Sequence, residues 1–220
     1  MIGIQPNDGA LLQEGDIRNV APTDLTFRFD ESQVIDAATL GDSMAVGGIQ
    51  ITRANLDGTF AAASVRDDFG TAGTAGEVWL EFTAVRLGED QNGITLTITK
   101  SDFGGPGLPG ISVIGRTINI NLNTNTANQT TALDLISALG NSVQASNLIS
   151  AQIVTGNGSA NIAATAAGNT ALVLGDPDNP NAVVANDLVI RPGYIGVGER
   201  PATNEVVFRF AETLPDDRYQ

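Results

Sequence analysis

The stretch Leu25-Thr26-Phe27-Arg28-Phe29 alternates apolar and polar residues with a period of two. That period suits an extended chain with one face buried and the other wet. The design returns near the other end as Val206-Val207-Phe208-Arg209-Phe210. In both copies the phenylalanines fall on one face and the arginine on the other. An acidic, turn-prone stretch follows each, ending DESQVID in the first case and AETLPDD in the second. Two complete repeats would carry further matches between the copies, and none is found. The pair therefore reads as two strands of one β domain, early and late in its order, with a long insertion between them. "GGIQITRA" (47–54) reads as another strand with Ile49 and Ile51 on one face, and "LDGTF" (56–60) supplies an Asp-Gly turn.

The words around these strands add to the pattern. "PNDGALLQEG" precedes the first strand, "DAATL" follows it, and "LPDDRY" follows the last. In this order they resemble the bacterial Ig-like domains of surface-layer and other secreted proteins. In that family a Pro-x-Asp/Asn-Gly opening leads to a Phe-x-Phe strand, a Thr-Leu segment follows, and a Leu-to-Tyr stretch comes near the close. Here Thr39-Leu40 and Leu214 to Tyr219 fill those slots. The resemblance covers residues 4–60 and 188–220. It implies an Ig-like β-sandwich and carries no site with it. The chain departs from the family twice: more than a hundred residues interrupt the domain, and the chain reads "RYQ" where the family continues into a last strand. A sandwich without that strand exposes an edge and part of its core. The expectation is a mainly β protein: a discontinuous Ig-like sandwich (1–60 plus 188–220) lacking its last strand, around an inserted small α+β subdomain (61–187).

Within the insertion, "EVWLEFTAV" (77–85) reads as a strand. "EDQNGITLTIT" follows, with Asn92-Gly93 as a hairpin cue. "ISVIGRTININLN" (111–123) reads as two short strands or one long strand bent at Gly115. "TTALDLISALGNS" (130–142) is the one clear helix. Thr130 or Thr131 caps it, Asp134 suits the positive end of the helix dipole, Leu133, Ile136 and Leu139 form its apolar stripe, and Gly140 ends it. "NLISAQIV" (147–154) and "TALVLG" (170–175) complete the strands. "PGYIGVGERP" (192–201) reads as a returning loop anchored by Tyr194. The progression is similar to inserted modules of large bacterial surface and appendage proteins.

Composition narrows the function classes. With 25 acidic and 11 basic residues the formal charge is −14, and Lys100 is the only lysine. Nucleic-acid binding, which runs on phosphate neutralisation, and polybasic membrane docking are both excluded on this charge. Histidine and cysteine are absent. That removes disulfides, the usual zinc sites, and Ser-His-Asp or Cys-His catalysis. No run approaches the roughly 20 apolar residues of a membrane-spanning helix. The opening residues lack the basic start and apolar run of a signal peptide, so an exported chain of this sequence would be a piece of something longer.

Three stretches are candidate sites. Glu77, Trp79 and Glu81 share one strand face, with Val78, Leu80 and Phe82 on the other. An aromatic platform between carboxylates suits a sugar ring, and paired carboxylates suit glycoside hydrolysis. The bland alternative is that Trp79 is covered and the glutamates form its rim. "GDPDNPNA" (175–182) gathers Asp176, Asp178, Asn179 and Asn181, oxygen ligands of the kind calcium takes, although Pro180 and a missing distant Glu break the EF-hand spacing. Asp67 and Asp68 could form a second such loop. The bland alternative is a solvated, proline-stiffened turn. "GPGLPG" (105–110) matches Gly-x-Gly-x-x-Gly, but a β-like segment follows it where a phosphate site needs a helix N-terminus, so it reads as a hairpin loop. The leading expectation is a non-catalytic structural or adhesive module of a larger bacterial cell-surface or secreted protein, placed extracellularly beside neighbouring domains of the same chain. A carbohydrate- or ligand-binding module, calcium-assisted, is the alternative, with surface glycan or protein as partner. A carboxylate-based hydrolase ranks third.

Overall fold

The computed structural model describes all residues except 8, 34, 38–39, 41–48, 55–57, 70–75, 164–169 and 199–203. The expected Thr39 slot, the start of the 47–54 strand and the Asp57 turn lie outside the described residues. The chain is mainly β with one substantial helix. In chain order the strands are β1 (Gly3–Pro6), β2 (Asp24–Arg28), β3 (Thr52–Arg53), β4 (Ser64–Asp68), β5 (Val78–Ala84), β6 (Thr95–Ser101), β7 (Gly110–Ile114), β8 (Thr117–Asn123), β9 (Ile149–Gly156), β10 (Thr170–Val173), β11 (Ala182–Val183), β12 (Leu188–Val189), β13 (Pro192–Val197) and β14 (Glu205–Phe210). The helices are α1 (Ala132–Asn141) and the short α2 (Val143–Ser146). The chain divides into two compact units, Met1–Gly58 with Leu188–Gln220, and Thr59–Asp187.

The first unit is built on the two Phe-Arg-Phe strands. They are neighbours, paired antiparallel in a sheet of order β1-β2-β14-β13. Leu25 stands opposite Phe208, Phe27 opposite Val206, and Arg28 opposite Glu205. The apolar members therefore stack on one face, while Arg28 and Glu205 form an ion pair of 3.0 Å. Leu25, Phe27, Val206 and Phe208 are buried together with Leu40 and Ile51. Across that core lies a narrow second layer. β3 pairs with β12 on one side and with residues 218–220 on the other, through Thr52 and Gln220, each donating its N–H to the other's carbonyl at 2.9 Å. Tyr219 packs against the core and its hydroxyl donates to the Pro215 carbonyl at 2.6 Å. Residues 192–197, read from sequence as loop, form edge strand β13. Its Gly and Pro content weakens the sequence signal, and pairing with β14 through a bulge after Pro192 makes the strand.

The second unit holds two four-stranded sheets, β11-β4-β5-β9 and β10-β6-β8-β7. Val78, Leu80 and Phe82 from β5, Leu96 and Ile98 from β6, and Ile118, Ile120 and Leu122 from β8 are all essentially inaccessible to solvent. β6 and β8 run parallel and β7 folds back on β8 as a hairpin, so Gly115 joins two strands. The Asn92-Gly93 cue does not make a hairpin. β5 pairs with β4 and β9, and β6 with β8 and β10. Asn92 instead ends a short 3-10 turn, and its side chain hydrogen-bonds both the N–H and the carbonyl of Ala185 at 2.9 and 2.8 Å.

α1 starts at Thr131 with a complete capping box to Asp134. It buries Ala132, Leu135, Ala138 and Leu139, while Leu133 is half exposed. The stripe expected through Leu133 and Ile136 is therefore displaced toward the small alanines, which let the helix approach the strands closely. Gly140 lies inside the helix, which is capped by Ser142. α1 and α2 contact β7 and β9, the edge strands of the two sheets.

Candidate functional site

The face carrying Glu77, Trp79 and Glu81 is the outer face of the β11-β4-β5-β9 sheet. β5 is central there, so each outward residue has cross-strand neighbours: Trp79 lies between Asp68 and Thr155, and Glu81 between Arg66 and Gln152. Arg66 Nε meets Glu81 Oε1 at 2.8 Å and Gln152 Nε2 meets Glu81 Oε2 at 2.7 Å. Burial raises the Glu81 carboxyl, but the hydrogen bonds from Gln152 and Arg66 and the Arg66 charge outweigh it and hold the group below the ordinary carboxylate range. Trp79 is half-buried, and its indole N–H donates to Glu77 Oε1 at 3.0 Å. The three residues do come together, as a ladder engaged with its own sheet. Both Glu81 oxygens are committed, which leaves little acceptor capacity for a sugar. Four residues of strand also set Glu77 and Glu81 about 13 Å apart at a rise of ~3.3 Å per residue, wider than the roughly 6.5–9.5 Å of an inverting carboxylate pair.

Asp176 to Asn181 form two successive side-chain-stabilised turns between β10 and β11. Asp176 Oδ1 accepts from the Asp178 N–H at 3.0 Å, and Asn179 Oδ1 from the Asn181 N–H at 2.9 Å. These two oxygens thus cap their own backbone, as Asx turns do. Among the described residues no group of three or more acidic, His or Cys side chains gathers to hold a metal ion. Asp67 and Asp68 lie on strand β4 and not on a loop. Burial, with a smaller contribution from the Asp68 charge, raises the Asp67 carboxyl against a backbone hydrogen bond that lowers it.

"GPGLPG" is the β6–β7 connection, but β6 and β7 are not neighbours in the sheet, so it crosses past β8 and is not the hairpin loop its sequence suggests. Its shape comes from Asn123, a fully buried side chain whose Nδ2 donates to the Gly105 carbonyl at 2.9 Å and whose Oδ1 accepts from the Phe103 and Asn125 N–H groups. Sequence reasoning passed over Asn123 and Asp187 and read Asn92 only as a hairpin cue, because an Asn or Asp bracketing a distant backbone has no local pattern. Asp187 is 1% exposed, and its Oδ2 accepts from the Ala61 N–H at 2.8 Å. It therefore ties together the two ends of the insertion. No helix among the described residues is long and apolar enough to cross a membrane.

Compared with known proteins, the chain matches no family model, no curated protein and no solved structure.

Proposed function

We propose that the chain is a non-catalytic structural or adhesive module of a larger bacterial cell-surface or secreted protein, with an Ig-like sandwich interrupted in sequence by the inserted unit. The observation that carries this reading is where the buried polar groups go. Asn92, Asn123 and Asp187 each hold a backbone segment distant in sequence, and Glu81 links three strands. Polar side chains spent in this way rigidify a scaffold. The acidity of the chain suits a surface facing salt and divalent ions, and the cross-chain pairing of Phe27 with Val206 and Leu25 with Phe208 supports the sandwich.

The test is to stretch the chain between its two ends in a force microscope. A structural module resists with discrete unfolding steps. Smooth extension without steps would overturn the mechanical reading, and turnover of a polysaccharide or peptide substrate would overturn the non-catalytic one. Neither carboxylate set nor acidic loop favours the hydrolase or calcium-assisted reading over this one.

A further inference from the structure

The outer face of the β10-β6-β8-β7 sheet aligns uncharged polar side chains from β6, β8 and β7. The parallel register of β6 and β8 sets Thr95 beside Thr117, Thr97 beside Asn119 and Thr99 beside Asn121. β7 adds Ser112 beside Asn119 and Gly110 beside Asn121. Hydroxyl and carboxamide groups therefore recur about 4.8 Å across the strands and about 6.6 Å along them. None of these side chains is charged, in a chain of formal charge −14. A shallow depression of about 230 Å³ sits among Thr99, Gly110, Ser112, Asn119 and Asn121, with Ile111 and Ile120 adding apolar surface to its lining. It lies where Gly110 contributes no side chain, and it is smaller than the roughly 300 Å³ at which drug-sized pockets begin.

The fold accounts for most of these groups but not for all. Asn123 brackets the β6–β7 loop, Asn121 and Ser101 hydrogen-bond each other, and Thr99 donates to the Ile120 carbonyl. Asn119 and Ser112 make no side-chain hydrogen bond among the described residues. Asn is disfavoured in strands, and Asn119 occupies an interior strand where Thr or Val would serve the sheet better. A residue that breaks a local rule without a compensating contact is a candidate for function.

We propose that this face binds a neutral glycan, one sugar unit seated at Gly110 with Asn119 and Ser112 hydrogen-bonding its hydroxyls. Uncharged donors and acceptors match a polyol, whereas an anionic glycan would meet the net negative field of the protein. The inference rests on the adhesive half of the proposed function and names its partner class.

The test uses the full chain on an array of neutral and anionic glycans. Gly110→Val blocks the depression without disturbing the fold. A Cβ at Gly110 meets only Asn121 Cβ, at 3.6 Å, an ordinary contact, and valine suits a strand. Asn119→Thr removes the carboxamide and keeps or improves strand preference. The expected result is binding confined to neutral glycans, weakened roughly fivefold to tenfold by Asn119→Thr and abolished by Gly110→Val, with melting temperatures not lowered. No signal on any neutral glycan overturns the proposal, as does binding that survives both variants or that is lost only in Trp79→Ala. Discrete unfolding under force together with a silent array would sink this face and leave the structural module standing.

Discussion

At the scale of single residues, the side chains that matter most are those that bracket distant backbone. Asp187→Ala removes a buried carboxylate and leaves the half-buried Ala61 N–H without its partner, which costs about 1 kcal/mol. Denaturant unfolding should show a lower midpoint with an unchanged slope. Gly175 shows how closely such brackets are packed. It has φ +65°, and a Cβ there would overlap the Asn92 carboxamide that holds Ala185. The two carboxylates of the β4–β5 region respond to pH in opposite senses. Glu81 is depressed in the folded state, so its contribution is present above the unfolded pKa and fades as pH falls through the folded value. Asp67 is raised, so the folded state binds its proton more tightly, and that advantage is lost as pH rises through the folded value. Asp67→Asn should therefore melt higher than the parent at pH 7 and converge with it near about pH 3, below the ordinary Asp range. Glu81→Gln should melt lower at pH 7, with the gap narrowing on acidification. Thermal melts across pH decide both.

At the scale of elements, the sequence was most legible where periodicity was long and clean. β2, β5 and β14 declare themselves by alternation, and the core face of β5 is the one that alternation selects. α1 was legible as a helix, and its buried face was not. Packing buried Ala132, Leu135, Ala138 and Leu139 and left Leu133 half exposed, with the two small alanines taking the place of Leu133 and Ile136 in the buried stripe. Removing the capping box with Thr131→Ala should cost about 1 kcal/mol, read as a drop in melting temperature with the sheets intact. Phe208→Ala, by contrast, opens the centre of the first unit's core and should cost about 3–5 kcal/mol. Asn92-Gly93 and β13 misled for one reason: hairpin and strand signals are local, and pairing partners are chosen by the whole sheet.

At the scale of the whole molecule, the discontinuous first unit sets an order of events. Both chain ends belong to that unit, whose 91 residues (1–58 and 188–220) flank the 129 of the second unit (59–187). Force applied at the ends loads the first unit and reaches the second only after the first has opened. The larger extension step, about 440 Å at ~3.4 Å per residue, should therefore come last in single-molecule traces, and the reverse order would show that the two units are not mechanically nested. A second expectation concerns ions. Because Asp176 Oδ1 and Asn179 Oδ1 cap their own turns, melting in millimolar calcium and in EDTA should agree within about 1 °C, as a ligand stabilises only a state that binds it.

The sequence by itself determined which segments are strands wherever apolar residues alternate. It also determined that no His or Cys chemistry is available, and that two similar strands lie far apart in the chain. These follow from local period and from composition, which need no partner to be read. Only the tertiary structure decided that Phe27 and Phe208 share a sheet face, that residues 218–220 close against β3, that Glu81 is spent on Arg66 and Gln152, and that threonines and asparagines align into an uncharged face. Each of those is a relation between segments separated by tens of residues or more along the chain or by the register of paired strands. Strand pairing and burial create such relations, and a linear pattern carries no record of them.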